Sequence, residues 1–236
     1  MFTAHLLQAA KEYGVALTEH QAKQFAEYYA LLITWNEKIN LTAITEPREV
    51  AVKHMIDSLS CYHEAYFPRG SKIIDVGTGA GFPGLPLKII RPDITLTLLD
   101  SLQKRLNFLQ EVVQKLALQD VRLLHARAED AGKKLEREQH DVALSRAVAR
   151  LNVLSELCLP MVKPGGYFVA LKGAQYLQEI KEGQSAVSLL GGRIEEVKPV
   201  SLPGLQDVRA VIYIRKITAT PVQYPRKAGT PEKKPL

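Results

Sequence analysis

The stretch Ile73–Pro86, IIDVGTGAGFPGLP, places glycines at 77, 79 and 81, every second position, directly after an apolar run and just ahead of two prolines. A turn of bare glycines between a strand and a helix lets backbone amides approach a ligand closely, because no side chain stands in the way. Gly79, Gly81 and Gly84 also fit G-x-G-x-x-G, the spacing that seats a pyrophosphate at a helix N-terminus. The loop by itself therefore marks a nucleotide-type site without deciding its ligand.

On either side of this loop the pattern changes. Residues 1–68 read as helical: Thr18 and Gln21 have the spacing of a capping box, and Phe25, Tyr29 and Leu32 follow at helical intervals. Pro47 suits the first turn of a second helix, with Val52, Met55, Ile56 and Leu59 along one face and His54, Asp57 and Ser58 on another. That polar face is either solvated or a wall of a cleft. From Lys72 onward, KIIDV, TLTLLD, VRLLH, DVALS and GYFVALK read as strands alternating with amphipathic segments, which indicates a parallel sheet covered by helices on both faces. GRIEEVKPVSL and VRAVIYIRK then close a seven-stranded, mostly parallel Rossmann-like sheet of the methyltransferase type over residues 69–217. Residues 218–236 are basic, proline-rich and without apolar periodicity, and are expected to be disordered.

The chain of 236 residues suits one main domain. No run of about 18 apolar residues is present, and Lys11 and Glu12 interrupt the opening segment before a signal-peptide core can form, so a cytoplasmic protein is expected. Cys61 and Cys158 lack paired spacing, which predicts buried thiols and no metal site. A net charge of +6 favours polyanionic partners, although much of the excess lies after Ile217.

Two acids weigh on the ligand. Asp75, two residues before Gly77, is expected to point into the pocket, where it suits the ammonium group of S-adenosylmethionine and repels a pyrophosphate. Asp100, ending the second strand, suits ribose hydroxyls in either S-adenosylmethionine or a nicotinamide cofactor. The residues favour S-adenosylmethionine, with a nicotinamide cofactor and a non-catalytic fold as alternatives. Glu129, with the Ala128 amide, either faces the adenine or caps the next helix. Arg146, ending the fourth strand, either meets the ligand or forms a surface salt bridge. After that strand the chain reads SRAV, without the Asn or Asp, paired prolines and aromatic residue of many amine methylases, and neither cysteine has the context of a pyrimidine-carbon nucleophile. A ring nitrogen such as guanine N7 has its lone pair free and needs no general base.

WNEKINLT (35–42), HMIDSL (54–59), DVGTGAGFPGLPL (75–87), LLDSLQKRLNFL (98–109), RAE (127–129), SRAVA (145–149) and ALKG (170–173) together resemble the ribosomal RNA small subunit methyltransferase G family, also called glucose-inhibited division protein B. The resemblance runs from about Leu6 to Ile217. It implies a class I enzyme, monomeric, that methylates guanine N7 in the 530 loop of bacterial 16S ribosomal RNA, free or in an assembling small subunit, using S-adenosylmethionine. Carried over by position, Gly77, Phe82, Ala128, Glu129 and Arg146 should contact the cofactor, with Asp75, Gly79, Asp100 and Ser101 completing its pocket. Arg146, Asn40, His54, Asp57 and Lys172 are the candidate catalytic residues; Thr42, Ser58 and Arg105 are candidates for holding substrate.

Overall fold

The computed structural model describes residues Met1–Leu236. Helices α1 (Phe2–Tyr13) and α2 (Glu19–Asn36) open the chain. The α2 capping box forms as expected: the Thr18 hydroxyl accepts the Gln21 N–H at 3.2 Å, and Gln21 Oε1 accepts the Thr18 N–H at 2.9 Å. The helix that begins at Pro47 has three parts, α3 (Pro47–Val50), a π-helical stretch (Ala51–Ile56) and α4 (Asp57–Leu59). Its polar residues are turned inward. His54, Asp57 and Ser58 are buried along with Val52, Met55, Ile56 and Leu59, so the solvated reading of that face does not hold.

Strand and helix then alternate: β1 (Lys72–Val76), α5 (Gly84–Ile90), β2 (Thr95–Asp100), α6 (Gln103–Lys115), β3 (Val121–His125), α7 (Ala128–Lys133), β4 (His140–Arg146), α8 (Leu151–Cys158), β5 (Val162–Lys172), α9 (Tyr176–Leu189), β6 (Gly192–Val200) and β7 (Arg209–Lys216). The sheet order is β3-β2-β1-β4-β5-β7-β6, and only the pairings of β7 are antiparallel. Strand order reverses between β1 and β4, which opens a crevice at their C-terminal ends, where ligands bind in open α/β sheets. The glycine turn and Arg146 both sit there.

The N-terminal helices are part of the same core as one face of the sheet. Phe25, Tyr28 and Leu32 of α2 are fully buried in one cluster with Phe82, Phe108 and Leu109. The Tyr28 hydroxyl donates to the Ala80 carbonyl of the glycine turn, and its ring stacks on Phe82 with centroids 5.4 Å apart. Helix α2 thus braces the turn from behind.

Residues 218–236 are folded, contrary to the expectation of disorder. Arg137 donates to the carbonyls of Tyr224 and Thr220 at 2.7 and 2.6 Å. Arg226 clasps Glu156 through Nε and Nη2, at 2.9 and 2.6 Å, and through its backbone N–H at 2.7 Å. Glu156 has no exposed surface, and leaving such a carboxylate without its partner costs about 3–5 kcal/mol. A short helix, α10 (Thr230–Lys233), ends the segment against α8. Composition missed this packing because polar anchors, rather than an apolar face, hold it.

Candidate active site

At the C-terminal ends of β1, β2, β3 and β4 lies a cavity of about 510 Å³, within the range that holds a cofactor-sized ligand. Its floor is the glycine turn. Gly77 and Gly79 have φ of +69° and +59°, a region that side chains disfavour, and a Cβ on Gly77 would stand 2.6 Å from Val148 Cγ2.

Asp100 bridges turn and helix. Its Oδ2 accepts the Gly79 N–H at 3.0 Å and Arg105 at 3.3 Å, and its Oδ1 accepts the Leu102 N–H at 2.9 Å, leaving Oδ1 with acceptor capacity. Asp75 does not line the cavity. It is wholly buried behind the turn, where Oδ2 accepts from the Thr78 hydroxyl at 2.7 Å and the Gly84 N–H at 2.9 Å, while Oδ1 has no protein partner. Burial raises its pKa to about 6. The alternation of β1 turns its side chain toward α5, so it shapes the turn, and the expectation of a carboxylate pointing into the pocket is corrected.

Gly77, Gly79, Phe82, Asp100, Ser101, Ala128, Glu129 and Arg146 all line this cavity, as do Thr42, His54 and Arg105. Glu129 is not the cap of α7, whose N-cap is Arg127; its Oε1 accepts the Gly229 N–H at 2.8 Å. Ala126, Arg127, Val148, Pro231 and Glu232 are among the other lining residues, and the sequence marks none of them as a site residue.

A second cavity, of about 600 Å³, adjoins the first and shares His54, Arg146 and Ala147–Ala149 with it. The shared wall is one network. Arg146 donates to Asp57 Oδ2 at 2.8 Å and to the Lys53 carbonyl at 3.0 Å, and its guanidinium lies 4.9 Å from the Phe82 ring centroid. It is therefore no surface salt bridge. Arg209, from the start of β7, donates to Asp57 Oδ1 at 2.8 Å. His54 stacks on Phe82 at 4.7 Å and pairs with the Thr42 hydroxyl at 2.7 Å. Burial, reinforced by the Arg146 charge, lowers the His54 pKa to about 4, so its ring is neutral at neutral pH. Lys172 lines the second cavity, paired with Glu179 at 2.6 Å.

Besides Asp75, two candidates stand apart from both cavities. Ser58 is wholly buried and donates to the His54 carbonyl at 2.6 Å. Asn40 is exposed and lines neither cavity; its neighbour Asn36 shapes the loop instead, accepting the Leu41 and Thr42 N–H groups at 2.9 and 3.0 Å.

Sheet order, glycine cradle and the acids that line the first cavity fit S-adenosylmethionine, and define a class I S-adenosylmethionine-dependent methyltransferase. Solved structures agree on the fold: TrmN from Thermus thermophilus superposes with a TM-score of 0.55 at 19% identity over 68% of this chain and 48% of that one. A SAM-dependent methyltransferase from Aquifex aeolicus gives 0.52 at 20% identity over 72% of this chain and 93% of that one. The family model for rRNA small subunit methyltransferase G matches residues 21–207. Among curated relatives, the ribosomal RNA small subunit methyltransferase G of Desulforamulus reducens is 53% identical, covering 99% of this chain and 98% of its own. That of Alkaliphilus metalliredigens is 51% identical, covering 98% and 97%. The chain belongs to the rRNA small subunit methyltransferase G family.

Proposed function

We propose that this protein transfers a methyl group from S-adenosylmethionine to N7 of a guanine in the 530 loop of 16S ribosomal RNA. The cofactor supplies an electrophilic methyl on a sulfonium. The first cavity holds the cofactor, and the second admits the target base across the wall formed by Arg146 and His54.

The observation that carries this reading is the absence of an available general base at that wall. His54 is held neutral but far too acidic as a cation to accept a proton readily. Asp57 is engaged by two arginines, and Glu179 by Lys172. An exocyclic amine or a hydroxyl must lose a proton on methylation, whereas N7 attacks with a free lone pair. Methylation leaves positive charge on the purine. Arg146 does not oppose this strongly, because Asp57 neutralises it, so its role is to orient the reactants, as geometry at the reacting centre demands. Arg105 and Arg127 line the first cavity, and Lys53, Arg150 and Arg209 the second, which suits a phosphate backbone. A single chain supplies both cavities, which supports action as a monomer, and the cytoplasm is where such a substrate is met. No helix is long and apolar enough to cross a membrane.

The test is mass mapping of methylated nucleosides in 16S RNA from cells with and without the gene. Loss of 7-methylguanosine from the 530 loop is the expected result; an unchanged loop would remove this reading.

A further inference from the structure

The segment 218–236 does more than pack on the surface. Its path is fixed by Arg137, by Glu138, whose Oε1 accepts the Thr220 N–H at 2.9 Å, and by the buried Glu156 that receives Arg226. Beyond Arg226 the chain turns through Gly229, at φ +79°, and delivers two things to the first cavity. Pro231 and Glu232 line it directly, and the Gly229 N–H reaches Glu129 Oε1 at 2.8 Å. Glu129 is buried and lines the same cavity, yet its second oxygen makes no protein hydrogen bond. A carboxylate with one oxygen clamped and the other left for a ligand is a positioned acceptor.

Glu129 lies just past the end of β3, one strand further from the glycine turn than Asp100, which ends β2. With the amino acid part of the cofactor at the turn and its ribose at Asp100, this end of the cavity faces the purine. We infer that Gly229–Glu232 is a wall of the cofactor cavity at its purine end, and that the Gly229–Glu129 hydrogen bond positions the Glu129 carboxylate toward the adenosine part of S-adenosylmethionine. The inference rests on the cofactor reading above and assigns a binding role to a segment whose composition points only to disorder and charge.

The experiment compares the full chain with a variant truncated after Lys227, which keeps the Arg226 clasp and removes Gly229, Pro231 and Glu232. Calorimetry with S-adenosylhomocysteine should show affinity weakened about tenfold or more, as expected when part of a ligand's enclosing wall is lost. A second arm uses the unaltered protein. Trypsin cleavage after Lys233, which is exposed, should slow in S-adenosylhomocysteine and in adenosine, but not in methionine. The inference is overturned if the folded truncated protein binds S-adenosylhomocysteine as the full chain does, or if cleavage is insensitive to adenosine. Should the truncated protein fail to fold, the proteolysis arm decides alone. A truncation that weakens RNA binding but leaves S-adenosylhomocysteine affinity intact would identify the segment as an RNA contact and also overturn the inference. Failure of the full chain to bind S-adenosylhomocysteine would instead refute the cofactor reading itself.

Discussion

Arg146 and Asp57, 89 residues apart in sequence, meet through Nη1 and Oδ2 at 2.8 Å, on the wall that divides the two cavities. The contact joins the end of β4 to the helix that follows Pro47, and through the second Asp57 oxygen it also engages Arg209 of β7. A lysine at position 146 keeps the charge but loses the planar fork, whose Nη1 meets Asp57 and the Lys53 carbonyl while Nη2 faces His54 Nδ1 at 3.4 Å. Arg146→Lys should lower the single-turnover rate by about 100-fold while changing RNA affinity little, as misplacement at a reacting centre does. A wild-type rate at saturating RNA and cofactor would show that this geometry is unimportant.

Replacement of Gly77 should strike cofactor binding before stability. Gly77→Val forces a branched side chain into the left-handed region, costing about 1–2 kcal/mol, and its Cβ collides with Val148 across the turn. Calorimetry should detect no S-adenosylmethionine binding by a variant whose circular dichroism is native. Normal affinity would mean that the cavity over this turn is not the cofactor site.

Tyr28 offers a milder test, made from outside the cavity. Tyr28→Phe keeps the stacking on Phe82 and removes only the hydroxyl that satisfies the Ala80 carbonyl. An unsatisfied buried carbonyl costs about 1–3 kcal/mol, which lowers the melting temperature by roughly 2–4 °C per kcal/mol in a chain of this size. Cofactor affinity should fall with it, because the carbonyl belongs to the glycine turn. An unchanged melting curve would argue against α2 as the brace of that turn.

The neutral state of His54 predicts a pH response. Its pKa is about 4 in the folded protein against an ordinary 6.5, so the unfolded chain binds the extra proton first. The stability associated with His54 is therefore complete above pH 6.5 and declines as pH falls toward 4. Asp75 acts in the opposite sense, since its pKa rises from 3.8 to about 6 and its ionisation disfavours the fold as pH climbs through that window. NMR of the His54 ring separates the two contributions. The ring should stay neutral from pH 8 to below 6, and the methylation rate should show no histidine titration across that range. A His54 midpoint near 6.5 would contradict this.

Much of the frame is legible in the sequence because it rests on local periodicity. KIIDV, TLTLLD and VRLLH coincide with β1, β2 and β3, and the capping box marks the start of α2. The errors share a different cause. Asp75 follows the alternation of its strand, which hides it behind the turn. Residues 218–236 are held by Arg137, Glu138 and Glu156, between 70 and 87 residues away, and an ion pair at that separation leaves no local trace. Arg209 leaves no local trace for the same reason, since it reaches Asp57 from the start of β7, which the fold places beside β5. A charged residue opening a buried strand was the one available signal.

The π-helical stretch Ala51–Ile56 makes the chain's length in this region matter. A π-turn carries one residue more than an α-turn, so an α-helix through the same path would rotate everything beyond it by about 100°. His54 belongs to that widened stretch and Asp57 follows it directly. Deleting one residue there would give a more regular helix and swing Asp57 away from both arginines. Insertions and deletions between Pro47 and Leu59 are accordingly constrained by phase, and a sequence could improve its helix at this place only by dismantling the wall between the two cavities.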